Sequence, residues 1–108
     1  MKEYFRKNPV PFPNTRSRMN LNSLVQASPA QVSCDLGGEA AILNLDTGAY
    51  YGLDPVGARI WSFLATPKTV ARVRDSVLAE YEVDAARCES DLLALLDALA
   101  AAGLVLVG

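Results

Sequence analysis

The chain has 108 residues, a formal net charge of −2, 51% apolar residues, two cysteines, one tryptophan and no histidine. That length holds one small domain with a thin core. Without histidine there is no His-based general base, no Ser-His-Asp or Cys-His arrangement and no His-containing zinc site. No apolar run approaches the roughly 20 residues of a membrane span. No apolar stretch precedes a small-residue cleavage site near the N-terminus, so no export signal is expected and the cytoplasm is the expected compartment.

Residues 1–18 carry Lys2, Arg6, Lys7, Arg16 and Arg18 against Glu3, five basic residues to one acidic, a balance of +4. Residues 19–108 carry five basic residues to eleven acidic, a balance of −6. With Pro9, Pro11 and Pro13 in it, the first segment reads as a basic, unstructured arm outside the core. The domain proper is expected over 19–108, beginning at Met19.

Two short strands are expected at Ser23–Ala27 and Gln31–Asp35, parted by Ser28-Pro29. Val32 and Cys34 alternate with Gln31, Ser33 and Asp35, a period-two pattern. Gly37-Gly38 reads as a hairpin turn, because glycine accepts positive φ. Glu39–Leu45 follows, with Ala41, Leu43 and Leu45 on one face. Asp46-Thr47-Gly48 is a second turn, and Ala49–Leu53 is the third main strand. Two tight turns in succession make an antiparallel meander, which leaves its last strand at an edge with one row of unpaired backbone groups. A proline at Tyr51 would remove a donor from that row, unless the donor faces the inner strand.

Asp54 can cap a first helix, with Pro55 at its first position, running to about Ala65. Val56, Ile60, Trp61, Phe63 and Leu64 are its core side. Thr69 caps a second helix with Val70, Val73, Val77, Leu78 and Tyr81 at helical steps. Asp84 caps a third, which ends at Gly103. Leu104–Val107 can close the domain as an extended tail. The whole is α+β, a three-stranded antiparallel meander followed by three helices, in a winged helix-turn-helix-like arrangement.

On a wheel of about 100° per residue, Leu92, Leu95, Leu99 and Ala102 fall within roughly 40° of Cys88. Leu96, Ala100 and Leu93 extend the apolar arc to about 180°. The second stripe either packs on the sheet or walls a groove beside the edge strand, where strand-addition binding could take place. Asp84, Glu89, Asp91 and Asp97 against Arg87 make the third helix a poor reader of nucleic acid. Cys34 and Cys88 fit no metal spacing or redox motif and are expected as buried free thiols. The acidic pairs Glu80/Glu82 and Glu89/Asp91 read as solvated faces and caps. No catalytic residue, metal site or cofactor is expected.

The run Asp35-Leu36-Gly37-Gly38-Glu39-Ala40, then Asn44-Leu45-Asp46-Thr47-Gly48, Tyr50-Tyr51-Gly52-Leu53 and Val56-Gly57-Ala58-Arg59-Ile60-Trp61, resembles the PqqD-like family. So does Asp91-Leu92-Leu93-Ala94-Leu95-Leu96 followed by Ala102-Gly103-Leu104-Val105. The likeness covers about residues 20–107. The Asp-Leu-Gly-Gly-Glu turn and Tyr81–Asp84 look most like the standalone B proteins of lasso-peptide biosynthesis.

The resemblance implies a RiPP recognition element, a peptide chaperone that binds the leader of a ribosomally made precursor. Its implied partners are that leader, a separate transglutaminase-like cysteine protease that removes it, and the macrocyclase of the same pathway. It implies a leader strand on Ala49, Tyr50, Tyr51, Gly52 and Leu53, lying against helix residues near Leu92, Leu93 and Leu96. Family leaders commonly carry a Tyr and a Pro as anchors. The arm has Tyr4 and Pro9 at a different spacing, and an arm that covers a site on the domain stands as the alternative to an unstructured one. Two alternatives stand beside this reading: a PqqD-like chaperone for a radical-SAM enzyme, and a winged-helix DNA-binding regulator.

Overall fold

The strands form where alternating side chains meet turn residues that reverse the chain. In the computed structural model, which describes residues 19–108 and the backbone of 5–7, the order is β1 (Phe5–Lys7), β2 (Leu24–Ala27), β3 (Gln31–Asp35), β4 (Ala40–Asn44) and β5 (Tyr50–Leu53). There follow α1 (Pro55–Ser62) with a 3-10 turn (Phe63–Ala65), β6 (Lys68–Thr69), α2 (Val70–Glu80), α3 (Ala85–Ala101) and β7 (Val105–Val107). The expected meander is β3–β4–β5. Its first turn is tied by Asp35 Oδ1, which accepts from the Gly37 and Gly38 amides at 3.0 and 3.2 Å.

The larger sheet has the order β1-β5-β4-β3 and a smaller one the order β6-β2-β7. The smaller sheet clasps the ends of the domain. Val25 faces Lys68 on one side and Val107 on the other, so the expected closing tail is a strand. Lys68–Thr69 lies where the sequence reading expects only the approach to and cap of the second helix, and it is recruited as a strand because β2 offers it an edge.

All three predicted helix caps form. Asp54 Oδ1 accepts from the Gly57 amide at 2.8 Å, Thr69 Oγ1 from the Arg72 amide at 3.2 Å, and Asp84 Oδ2 from the Arg87 amide at 2.9 Å. One core joins sheet and helices, with Val25, Ile42, Leu64, Val70, Leu92 and Leu99 among its most buried members.

Two sequence expectations change. The face of β4 that carries Ala41, Leu43 and Leu45 is the outer one, and Leu43 and Leu45 are exposed. Ala40, Ile42 and Asn44 point inward instead. The segment is apolar on both faces, so alternation cannot choose between them. A buried asparagine is accepted because its polar atoms are satisfied. Its Oδ1 takes the Asp46 and Thr47 amides at 2.8 and 3.1 Å, and its Nδ2 donates to the Ala102 carbonyl at 2.9 Å. The second change concerns the thiols: Cys88 is buried, whereas Cys34 is exposed. Cys34 shares the outer face of the sheet with Ala41, its partner across the ladder.

Candidate functional site

The strand β5 is built to present an edge. At the turn before it, the Asn44 amide donates to the Ala49 carbonyl and the Gly48 amide to the Asn44 carbonyl, both at 2.8 Å. Gly48 makes this possible with φ of 76°. Consecutive residues of an antiparallel strand turn their backbone groups alternately to its two sides. With Ile42 opposite Tyr51 and Ala40 opposite Leu53, the groups of Tyr51 and Leu53 face β4. Those of Tyr50 and Gly52 face the other way. The donor lost in a Tyr51→Pro chain would therefore be one that holds the meander together, and Gly52 is the position that tests the outer row.

That outer row is not bare. The backbone of Phe5–Lys7 lies on it antiparallel, with Phe5 opposite Leu53, Arg6 opposite Gly52 and Lys7 opposite Tyr51. By the same alternation Arg6 and Gly52 are the pair that exchanges both backbone hydrogen bonds. The sequence reading treats 1–18 as unstructured and the edge as unpaired. Three of those residues form a strand here, and the remainder of the arm lies outside the described residues. Three residues between prolines and charges carry too weak a strand signal to be read without the edge they meet.

The side chains of β5 alternate accordingly. Tyr51 and Leu53 are buried in the core, Tyr50 is 59% exposed, and Gly52 and Ala49 are half-buried. Among the described residues, a Cβ on Gly52 would meet nothing within 4 Å. Tyr50, Leu43 and Val32 lie in register across three strands and form an exposed apolar row.

The helix residues named for the site divide. Leu92 and Leu96 belong to the same core cluster as Tyr51 and Leu53, and Leu96 is fully buried. Leu93 is half-buried and packs against that cluster. Of the second apolar stripe of α3, Leu96 is spent inside the domain, while Leu93 and Ala100 are half-buried. The C-terminal end of α3 is fixed to the β4–β5 turn by the bond from Asn44 to Ala102.

Near the other end of α3 a pocket of about 210 Å³ opens among the three helices, lined by Val56, Ile60, Tyr81, Val83, Asp91 and Leu92 among others. Sequence reasoning missed it because its walls come from three separate helices. A more polar hollow of about 550 Å³ lies between the β3–β4 turn and α1, beside Asp35, Glu39 and Arg59.

Burial pushes the Cys88 thiol up, the neighbouring Asp91 adds to this, and the sulfur is held as a thiol rather than a nucleophile. Arg59 grips Glu80 through two bonds of 2.8 and 2.7 Å, which hold that carboxyl below the usual range. The pair is exposed and ties α1 to the end of α2. Arg74 does the same between α2 and α3 through Glu89 at 3.0 Å. Among the described residues, no group of three or more His, Cys, Asp or Glu could hold a metal ion. No described helix is long and apolar enough to cross a membrane.

Comparison with known proteins places the same elements. No curated protein matches. A solved structure of TbiB1 in complex with the TbiA(beta) leader peptide is 44% identical, with a TM-score of 0.70, covering 74% of this chain and 93% of that one. A second, lasso peptide synthetase B1 complexed with the leader peptide, is 26% identical with a TM-score of 0.67, covering 76% and 96%. The family model for coenzyme PQQ synthesis protein D (PqqD) matches residues 39–105, from the meander through α3 to the start of β7. More than half of the sequence lies inside that match, and the chain belongs to the PqqD family.

Proposed function

We propose that this chain is a non-catalytic RiPP recognition element, which binds the leader of a lasso-peptide precursor by adding it as a strand to β5. The observation that carries the reading is the outward row of Tyr50 and Gly52, an edge that already takes an antiparallel strand. The two similar proteins were solved in complex with leader peptides, and the first shares 44% identity with this chain.

In strand addition the backbone supplies the pairing and the flanking pockets the selectivity. A leader antiparallel to β5 would leave the strand beyond Leu53, on the side where the chain continues to Val56 and the pocket it lines. Leu93 and the pocket wall at Leu92 would meet its apolar side chains. Two or three such anchors at roughly 1.5–3 kcal/mol each supply a large part of the roughly 8 kcal/mol that micromolar binding requires, and the strand's backbone bonds are set against the ordering cost.

Delivery to a separate transglutaminase-like leader peptidase, with the macrocyclase in the same pathway, completes the proposed role. All of it would take place in the cytoplasm. The lasso assignment is preferred to a radical-SAM partnership because of the likeness to lasso peptide synthetase B1.

Titration calorimetry with the TbiA(beta) leader peptide tests the reading. The wild-type chain is expected to bind it one to one. A Gly52→Pro chain, which loses an outward donor and keeps the bonds to β4, is expected to bind at least about tenfold more weakly. Equal affinities in two folded chains would overturn strand addition at β5.

A further inference from the structure

We infer that residues 5–7 are a built-in occupant of the strand-addition site, which an incoming leader must displace. The inference rests on the leader-binding reading and adds to it a resident competitor supplied by the same chain.

Position is the first argument. An added strand must satisfy the backbone groups of Tyr50 and Gly52, the two residues of β5 that face away from β4. Arg6 stands opposite Gly52 and takes that residue's bonds. Two strands cannot hold the same donors and acceptors, so arm and leader exclude each other at Gly52.

Charge is the second. The arm carries +4 and the rest of the chain −6, and these opposite signs favour the arm's return to the domain. Tethering is the third. Only residues 8–18 separate β1 from Met19. A short tether gives an effective concentration in the millimolar range, enough for a weak pairing to be well populated.

The occupant is also short. Pro9 follows Lys7 by two positions and has no N–H to donate. A leader able to pair along the whole edge and fill the helix pocket has more to gain than three residues of arm. It wins, with its apparent affinity lowered by the fraction of chains in which the edge is open.

Arg6→Pro in the full-length chain removes the donor aimed at the Gly52 carbonyl. Two measurements on this chain and the wild type separate the possibilities. The first is amide hydrogen exchange at Gly52, with Ile42 as an internal check on the fold. The second is titration with the TbiA(beta) leader peptide. The Gly52 amide is expected to be protected in the wild type and to exchange at least about tenfold faster in the variant. Leader affinity is expected to rise about tenfold, the factor for an edge open in one chain in ten.

A Gly52 amide that exchanges equally fast in both chains overturns the inference, since the arm is then not on the strand. Protection released by Arg6→Pro without a gain in leader affinity overturns it too, since the arm then does not compete. Protected Gly52 with no leader bound by either chain counts against the leader reading, while the occupied edge stands on the exchange data.

Discussion

At the scale of single residues, Asn44 does the work that neither its neighbours nor its hydropathy announce. It is 4% exposed, yet it gathers two amides of the β4–β5 turn and the last carbonyl of α3. Replacing it with alanine takes this partner from two amides of the exposed turn and from the half-buried Ala102 carbonyl. Asn44→Ala is expected to lower stability by about 1–3 kcal/mol in urea unfolding, on the usual cost of an unsatisfied buried group. Gly103 sits against it with φ of 75°, and a Cβ there would lie 3.1 Å from Asn44 Nδ2. The stop at Gly103 is legible in the sequence, because a glycine after an apolar helix is a common C-terminal signal. The partnership with Asn44 is not, since 58 positions separate that residue from Ala102, whose carbonyl it binds. The donors of Tyr50 and Gly52 belong to the same scale: alternation says that half of β5 faces outward, and only the register says which half.

At the scale of elements, α3 was the open question and β5 supplies the answer. The wheel shows more apolar surface than one stripe needs and cannot tell a wall of the core from a wall of a groove. Packing assigns Leu96 and Leu92 to the core and leaves Leu93 partly accessible. The two kinds of position separate experimentally. Leu96→Ala is expected to cost about 2–5 kcal/mol of stability, as for other buried leucines. Leu93→Ala is expected to leave the melting temperature nearly unchanged and to weaken leader binding about fivefold, the loss of roughly 1 kcal/mol of apolar contact. Calorimetric melting and titration of the two variants check this. A Leu93→Ala chain with undiminished leader affinity would remove α3 from the site. The capped helices and both hairpin turns were readable because each rests on local chemistry: Asp54, Thr69 and Asp84 at amides three residues on, glycines at positive φ. The strand Lys68–Thr69 and the helix pocket rest on distant partners, and local pattern is silent about them.

At the scale of the whole molecule, the meander creates an edge and the same chain brings a strand to it. An unprotected edge invites pairing with a second copy, and β5 has no charge of its own until Asp54. The arm covers the row with a basic segment, which suits both solubility and reversible release. The fold class and the β3–β4–β5 meander were legible because the turns fix the topology. The occupied edge was not, because arm and edge are separated by more than 40 residues and joined by backbone bonds that carry no side-chain signature.

The central claim, a leader strand on the outer row of β5, is tested most directly by isotope-edited NMR of the wild-type chain with the TbiA(beta) leader peptide. Cross-strand contacts from leader backbone protons to those of Tyr50 and Gly52, with loss of the contacts from Arg6, are the predicted result. Leader contacts gathered instead on the hollow beside Asp35, Glu39 and Arg59, with the Arg6–Gly52 contacts intact, would contradict it.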